Sequence, residues 1–233
     1  QANIATDKAL EVVAKASHTK DPFFLFVHYM DPHSPYVPAK SFLRPLDNIE
    51  DTKPLHIRHA IRKYNGEIEY TDQEVGRLLD SLDSLELREN TLIILTSDHG
   101  ELLWDDGEEL MGHGFTLHES EVRIPLVFSW KGRMEQGRTI QSSVGLTDLL
   151  PTILDVVEAD QGPVRLDGVS LHAGLLKGEK VAPDRAIFLH RQNYDGGENE
   201  RGYAKFRNPP GRAIRKQGVK YGVRIGDMKF TQG

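Results

Sequence analysis

The sequence has no cysteine and no long apolar run, and each absence excludes a class of protein. Without cysteine, the 233-residue chain has no disulfides, no thiolate metal site and no cysteine nucleophile of its own. No apolar stretch reaches the roughly 18 residues of a membrane-spanning helix, so we expect no transmembrane segment. The chain begins at Gln1 without a methionine or a signal peptide. We therefore expect the native N-terminus to lie elsewhere and leave the compartment open, an extracytoplasmic one included.

The composition is that of a folded domain with an uneven distribution of charge. Hydrophobic residues make up 38% of the chain, charged residues 27%, and the net charge is −6. Residues 201–233 carry nine Lys or Arg against a single acid. Basic and strand-forming residues alternate there without a nucleic-acid-binding motif, so we expect no nucleic-acid partner. We predict instead an antiparallel hairpin whose basic side chains face solvent or pack against an acidic segment.

The hydrophobic pattern alternates between strands and helices and so predicts an α/β fold. Helices are predicted over residues 5–17, from Ile57 to about Leu85, and from a Thr147 cap through Val157. Buried strands are predicted at Phe23–His28, Thr91–Thr96, Pro125–Trp130 and 185–190. Irregular segments are predicted at 31–54, 97–121 and 193–208.

The most concentrated chemistry follows the predicted strand Thr91–Thr96. Asp98 offers a carboxylate oxygen and His99 an imidazole nitrogen, while Gly100 lets the backbone turn sharply. Ligands in open α/β sheets bind beyond the carboxyl ends of strands, so this pair is a candidate for two ligands of Ca²⁺, Mn²⁺ or Zn²⁺. The alternative is a capping aspartate beside a surface histidine.

Two further segments carry histidines in constrained surroundings. Residues 97–121 contain eight acids and no Lys or Arg, and His113 is flanked there by two glycines that let the backbone approach a ligand. Either this loop serves a cation and an anionic substrate, or it is a solvated acidic loop. His33 lies in a proline-rich loop that fixes its direction, which suits a general acid to a leaving oxygen as well as a rigid surface loop.

Together these motifs resemble the sulfatase family of the alkaline phosphatase superfamily. The resemblance is carried by Asp31-Pro32-His33-Ser34-Pro35-Tyr36, by Thr96 to Glu101, by Gly112 through Leu126, and by Leu166 to Leu171. It implies a mixed, largely parallel sheet flanked by helices, with a small C-terminal antiparallel hairpin. Residues 1–190 would be the C-terminal part of the catalytic domain, and 191–233 a polar loop and basic hairpin of the same domain.

The resemblance also implies roles for individual residues. Asp98 and His99 match metal ligands, with Ca²⁺ as the first choice and Mn²⁺ or Zn²⁺ as alternatives. His33 matches a histidine that contacts the sulfate and the leaving oxygen. His113 stands where many members have a sulfate-binding lysine, and it replaces that lysine only while it donates an N–H bond. His118 stands where a tyrosine is frequent, and we assign it no role.

The main departure from the family is an absence. Members carry acidic metal ligands on an early strand and a Cys or Ser, oxidised to formylglycine, in a Cys/Ser-x-Pro/Ala-x-Arg motif. The 233 residues contain no such motif. We expect a fragment that is inactive by itself, with the formylglycine and the acidic ligands in the missing N-terminal part, and that is stabilised by self-association.

Three functions stay open at this point. The first is a hydrolase of sulfate esters. The second is a phosphonate or phosphodiester hydrolase, or a phosphoglycerol transferase, of the same superfamily. The third is a binding module that has lost catalysis.

Overall fold

The computed structural model describes residues 1–19, 21–105, 109–176, 185–191, 220–225 and 228–232. Its α-helices are α1 (Ala2–Thr19), α2 (Leu55–Ser84), α3 (Glu119–Val122), α4 (Leu149–Val156) and α5 (His172–Leu176). Short 3-10 helices lie at Lys40–Phe42, Leu46–Asn48, Arg88–Asn90 and Leu146–Asp148.

The strands of the described residues form three small sheets. The strands are β1 (Ile93–Thr96), β2 (Leu102–Leu103), β3 (Met111–Gly112), β4 (Leu126–Ser129), β5 (Ala186–Arg191), β6 (Lys220–Ile225) and β7 (Met228–Gln232). β1 pairs with β4, β2 with β3, and β5, β6 and β7 form an antiparallel sheet in that order. Its register places Phe188 opposite Val223 and Val223 opposite Phe230.

The chain divides into two compact units, of which the first comprises residues 1–93 and 103–109. Its frame is the pairing of α1 with α2. The buried positions of α1 recur every three or four residues and form one stripe along the helix; they are Ala2, Thr6, Ala9 and Val13. The Thr6 hydroxyl lies 3.0 Å from the Tyr29 hydroxyl. Arg77 of α2 binds Asp7 of α1 at 2.8 Å and Glu74 at 2.6 Å.

The second unit, residues 94–102 and 110–233, is organised around Asp148. This side chain is fully buried, and its carboxylate pairs with the Arg185 guanidinium. It also accepts the N–H groups of Gly145 at 2.8 Å and Val169 at 2.9 Å. Burial would raise the pKa of Asp148, but Arg185 and the two N–H groups outweigh it and hold this pKa below its usual range. Gly168 packs here so closely that an added Cβ would lie 2.0 Å from the Thr147 carbonyl oxygen.

The structure confirms the two long helices, α1 and α2, and places strands within 91–96 and 125–130 and at Ala186–Arg191, one residue beyond the predicted 185–190. The antiparallel hairpin is present as β6 and β7, whereas residues 193–208 lie outside the described residues. Residues 97–121, expected to be irregular, also contain β2, β3 and the start of α3. The largely parallel sheet and a boundary at residue 190 stay predictions.

Two local predictions are wrong. Phe23–His28 does not form a strand. It is also not buried on both faces, since Phe24 and Phe26 are 77% and 78% exposed while Phe23, Leu25 and Val27 are half-buried. The apolar run is thus covered on one face and has no paired neighbour among the described residues. Thr147 does not cap α4, because it lies inside the Leu146–Asp148 turn, where Asp148 accepts the Gly145 N–H instead.

Among the described residues, no helix is both long enough and apolar enough to cross a bilayer.

Replacing Asp148 by asparagine should destabilise the protein by about 3 kcal/mol near neutral pH, because it leaves Arg185 without its buried partner. Since the pKa of Asp148 is lowered on folding, its contribution is present above the unfolded value of about 4 and is lost as the pH falls through the folded value. Urea unfolding at a series of pH values should show a constant difference in stability between the two proteins above about pH 4 and a difference that shrinks as the pH falls below it. Asp167→Asn, at an exposed site, is the control; an equal loss in both variants would contradict the assignment.

Candidate functional site

The Ser97–Gly100 motif follows β1 and is held by the segment that precedes β4. The Thr96 hydroxyl donates to the Pro125 carbonyl at 2.9 Å. The Gly100 N–H donates to the Glu121 carbonyl at 2.8 Å. A Cβ on Gly100 would lie 2.0 Å from the Ser120 carbonyl oxygen, so only glycine permits this approach. Glycine is therefore required at position 100 by the packing of two backbone segments, and Gly100 is not among the residues with left-handed backbone angles.

Asp98 and His99 present one oxygen and one nitrogen side by side. The Asp98 side chain is 74% exposed, and its Oδ1 accepts the His99 N–H at 3.0 Å. His99 Nδ1 lies 2.7 Å from the Gly100 carbonyl, an oxygen that can only accept, so Nδ1 carries the proton. His99 Nε2, 3.7 Å from Asp98 Oδ2, is then a lone-pair donor.

This geometry fits two ligands of one divalent cation. Ligand bonds of about 2.0–2.6 Å place neighbouring ligand atoms about 3–4 Å apart, which matches the separation of Asp98 Oδ2 and His99 Nε2. Among the described residues, no three His, Asp or Glu side chains are grouped to hold a metal. The pair is thus suited to part of a ligand shell, and its role as a metal site stays a prediction.

His113 lies directly against this pair. Its ring centroid is 3.9 Å from that of His99, with the planes tilted by 33°. Its Nδ1 lies 3.2 Å from Oε2 of Glu101, a side chain that is only 5% exposed. The structure therefore brings together Asp98, His99 and His113, three of the four predicted site residues. Glu101 was not singled out from the sequence, where it is one of eight acids in the loop.

The loop that carries His113 is shaped by glycines and by a buried carboxylate. Gly112 and Gly114 have φ values of 114° and 79°, in the left-handed region that other residues rarely adopt. Glu121, 4% exposed, accepts the N–H groups of Phe115 at 2.9 Å and Thr116 at 2.7 Å. The Thr116 hydroxyl also donates to Glu121. Glu121 is a second residue that sequence reasoning missed, and the composition of the loop gave no signal for it.

Two neighbouring residues show how the rest of this loop is held. His118 directly precedes α3 as its N-cap residue, and its N–H donates to the Thr116 hydroxyl at 3.1 Å. Glu119 forms an ion pair with Arg224 of β6. The basic side chains of the hairpin were predicted either to face solvent or to pack against an acidic segment. Arg224 does the second.

His33 belongs to the first unit. Its Nδ1 lies 2.7 Å from the Ser34 carbonyl oxygen, and the peptide bonds before Pro32 and Pro35 are cis. Tyr36, buried behind it, packs edge-on against Tyr64 of α2 with ring centroids 5.4 Å apart. Tyr36 therefore anchors this loop to α2.

Comparison with known proteins places these features in a family. The family model described as Sulfatase matches residues 2–159. The chain belongs to the sulfatase family. That match contains the four predicted site residues, His33, Asp98, His99 and His113.

The curated relatives in the sulfatase family include proteins named as a sulfatase and as a sulfotransferase. Human iduronate 2-sulfatase is 28% identical over 237 residues, covering 74% of this chain and 42% of its own length. The low-salt glycan biosynthesis sulfotransferase Agl7 of Haloferax volcanii is 32% identical over 167 residues, covering 68% of this chain and 38% of its own length. The chain thus spans less than half the length of these relatives.

Solved structures show the same fold. The yidJ protein of Bacteroides fragilis, described as a sulfatase, superposes with a TM-score of 0.76 at 20% identity, covering 96% of this chain and 47% of that one. Phosphonate monoester hydrolase of Agrobacterium radiobacter gives a TM-score of 0.58 at 25% identity, covering 76% and 33%. The fold of the chain is therefore that of sulfatases and their alkaline phosphatase-like relatives.

Replacing Gly100 by alanine should destabilise the protein by about 2 kcal/mol, because the new methyl group meets backbone rather than a movable side chain. Gly76→Ala in α2 is a matched control: nothing lies within 4 Å of the added Cβ, and alanine favours the helix by about 0.5–1 kcal/mol. Thermal unfolding should show opposite shifts. A neutral Gly100→Ala variant would contradict the close approach.

Proposed function

We propose that this chain contributes the Asp98–His99–His113 cluster to an enzyme that hydrolyses sulfate esters at a divalent cation. The observation that supports the proposal is the grouping itself. A carboxylate oxygen and an imidazole nitrogen 3.7 Å apart stand beside a second imidazole whose centroid is 3.9 Å from the first. A cation and an anionic ester can occupy such a site together, and membership of the sulfatase family gives the anion a chemical class.

Asp98 Oδ2 and His99 Nε2 are the proposed metal-binding atoms. Ca²⁺ is the first candidate because the resemblance to sulfatases implies it. The nitrogen ligand keeps Mn²⁺ and Zn²⁺ as alternatives, since Ca²⁺ prefers oxygen ligands. A bound cation would neutralise charge on the sulfate oxygens. The hydrogen bond from His99 Nδ1 to the Gly100 carbonyl fixes the ring so that Nε2 faces the same side as Asp98 Oδ2.

His113 and His33 are the proposed contacts to the ester. Glu101 accepts at Nδ1 of His113, so Nε2 is the nitrogen that would contact a sulfate oxygen, and it donates there only in the imidazolium form, in which both ring nitrogens carry a proton. His33, whose Nδ1 lies against the Ser34 carbonyl, would likewise act through Nε2. A histidine in this position can give a proton to the leaving oxygen as the ester bond breaks.

The nucleophile is proposed to come from outside these 233 residues. The sequence contains no cysteine and no Ser-x-Pro-x-Arg motif, and the family resemblance leads us to expect a formylglycine and acidic metal ligands elsewhere in the protein. Ester cleavage by this route needs that oxygen nucleophile, because covalent catalysis divides one difficult step into two easier ones.

A second candidate function is cleavage of a phosphonate or phosphodiester bond, or transfer of a phosphoglycerol group. It is favoured by the structural similarity to a phosphonate monoester hydrolase. The full-length protein should be assayed with an aryl sulfate, an aryl phosphate diester and an aryl phosphonate, each with Ca²⁺ and with Mn²⁺. Preferred turnover of the sulfate supports the first candidate, and preferred turnover of a phosphorus ester supports the second. No turnover of any ester would favour a binding module.

In the full-length enzyme, His113→Ala should lower turnover about 10²–10³-fold, since it removes one donor to charge that grows during the reaction. His118→Ala is the control, because His118 lies in the same loop and has no proposed contact with the ester. Steady-state kinetics with the preferred ester measure both. Equal small effects would remove His113 from the site.

The 233-residue chain alone should show no ester hydrolysis and only weak binding of Ca²⁺ or Mn²⁺. Two protein ligands are few for a cation that takes about six to eight oxygens, and the members of a cooperative catalytic site act as a unit. Isothermal titration with each metal and the ester assays above test this. Tight binding, or turnover well above that of an Asp98→Ala, His33→Ala double variant, would show that these residues contain a complete site.

A further inference from the structure

The loop that carries His33 lies along one stretch of α2. We call residues 31–38 the His33 loop. The Thr71 hydroxyl of α2 donates to the Asp31 carbonyl at 3.3 Å, and Tyr64, two helical turns earlier, packs against Tyr36. Between them, a Cβ on Gly66 would lie 3.0 Å from Pro38 Cγ. One face of α2 therefore follows the loop from its first residue to its last.

Glu67 is the charged group in the middle of that face. It is 4% exposed, and its Oε1 accepts the Val37 N–H at 2.6 Å. The N–H of His33 also faces this carboxyl and acts to lower its pKa. Oε2 is buried and has no hydrogen-bond partner among the described residues. A single carboxyl group thus reaches both His33 and Val37 in the loop.

Placing a carboxyl group here is energetically costly. Burial raises the pKa of Glu67, the Val37 N–H opposes the rise, Asp31 adds to it, and the His33 N–H opposes it again. An apolar residue of similar size would fill the space without that cost, because a buried polar group without its full set of partners destabilises the fold. Unlike an apolar residue, Glu67 accepts hydrogen bonds from the backbone of the loop.

Resting on the role proposed for His33 above, we propose that Glu67 is the positioning residue of His33. Its carboxyl group holds the backbone of the His33 loop against α2 at Val37. The loop is thereby fixed in the conformation in which His33 Nδ1 lies against the Ser34 carbonyl, and Nε2 is the nitrogen proposed above to act on the ester. Glu67 itself touches no reacting atom.

Glu74 provides a matched control. It is also a buried carboxylate of α2, 6% exposed, but its partner is Arg77 at 2.6 Å. Removing either carboxyl should weaken the fold, and only removal of Glu67 should disturb His33. Glu67→Gln keeps an oxygen that accepts the Val37 N–H and should restore most of what Glu67→Ala loses.

The first readout is the position of His33, which is monitored by NMR. Its imidazole Cε1–H signal is the one that is absent from the spectrum of His33→Ala. We expect this signal to shift or broaden in Glu67→Ala, to stay near its native position in Glu67→Gln, and to be unchanged in Glu74→Ala. An unchanged signal in Glu67→Ala would overturn the inference, whatever the activity of the enzyme.

The second readout is turnover of the full-length enzyme with its preferred ester. Because displacement of a reacting group by about 1 Å costs about 10²-fold, Glu67→Ala should lower kcat by about 10–100-fold. It should have no further effect in a His33→Ala background, whereas an equal loss in both backgrounds would show a general structural role and overturn the inference. If the NMR signal responds but His33→Ala turns over normally, Glu67 still positions His33, and the catalytic role proposed for His33 is wrong.

Discussion

Glu121 is buried, and its carboxylate accepts two consecutive N–H groups, those of Phe115 and Thr116, directly after the Gly-His-Gly segment. The loop that carries His113 depends on this interaction for its conformation. An irregular segment has backbone donors that no helix or strand satisfies, and an unpaired buried donor is costly. The Glu121 carboxylate of α3 accepts two of these backbone N–H groups. Gly112 and Gly114 adopt the left-handed backbone angles of the segment.

Buried carboxylates also accept backbone N–H groups at two other irregular segments. Asp148 accepts the N–H groups of Gly145 and Val169, and Glu67 accepts that of Val37. The electrostatic setting differs among the sites. Arg185 neutralises Asp148 and lowers its pKa, whereas Glu67 has no such partner among the described residues and its pKa is raised. Asp148 therefore stabilises the fold chiefly as an anion, while Glu67 holds its loop at an energetic cost.

The sequence predicted the long helices of this chain, because their apolar residues recur at regular intervals. The apolar positions of α1 and α2 recur at helical spacing, so their existence follows from the pattern alone. Phe23–His28 was misread because a continuous apolar run indicates burial on both faces, and a sequence does not say whether both are covered. Asp98, His99 and His113 could be grouped from motif order. Glu101, Glu67 and Glu121 could not, because a buried acid and a solvated acid look the same in a sequence.

If His113 takes the place of a sulfate-binding lysine, as the resemblance implies, its ring has to be oriented by neighbouring residues. A lysine ammonium can donate in three directions and adjusts by rotating, whereas an imidazole donates only in its own plane and must be oriented. Two contacts orient it here: Oε2 of Glu101 at 3.2 Å from Nδ1, and the face of His99 at 3.9 Å. Because His99 is also a proposed metal ligand, the proposed contact to the cation and the proposed contact to the anion lie on two rings that pack against each other. A substitution that removes either ring therefore also removes a packing contact of the other.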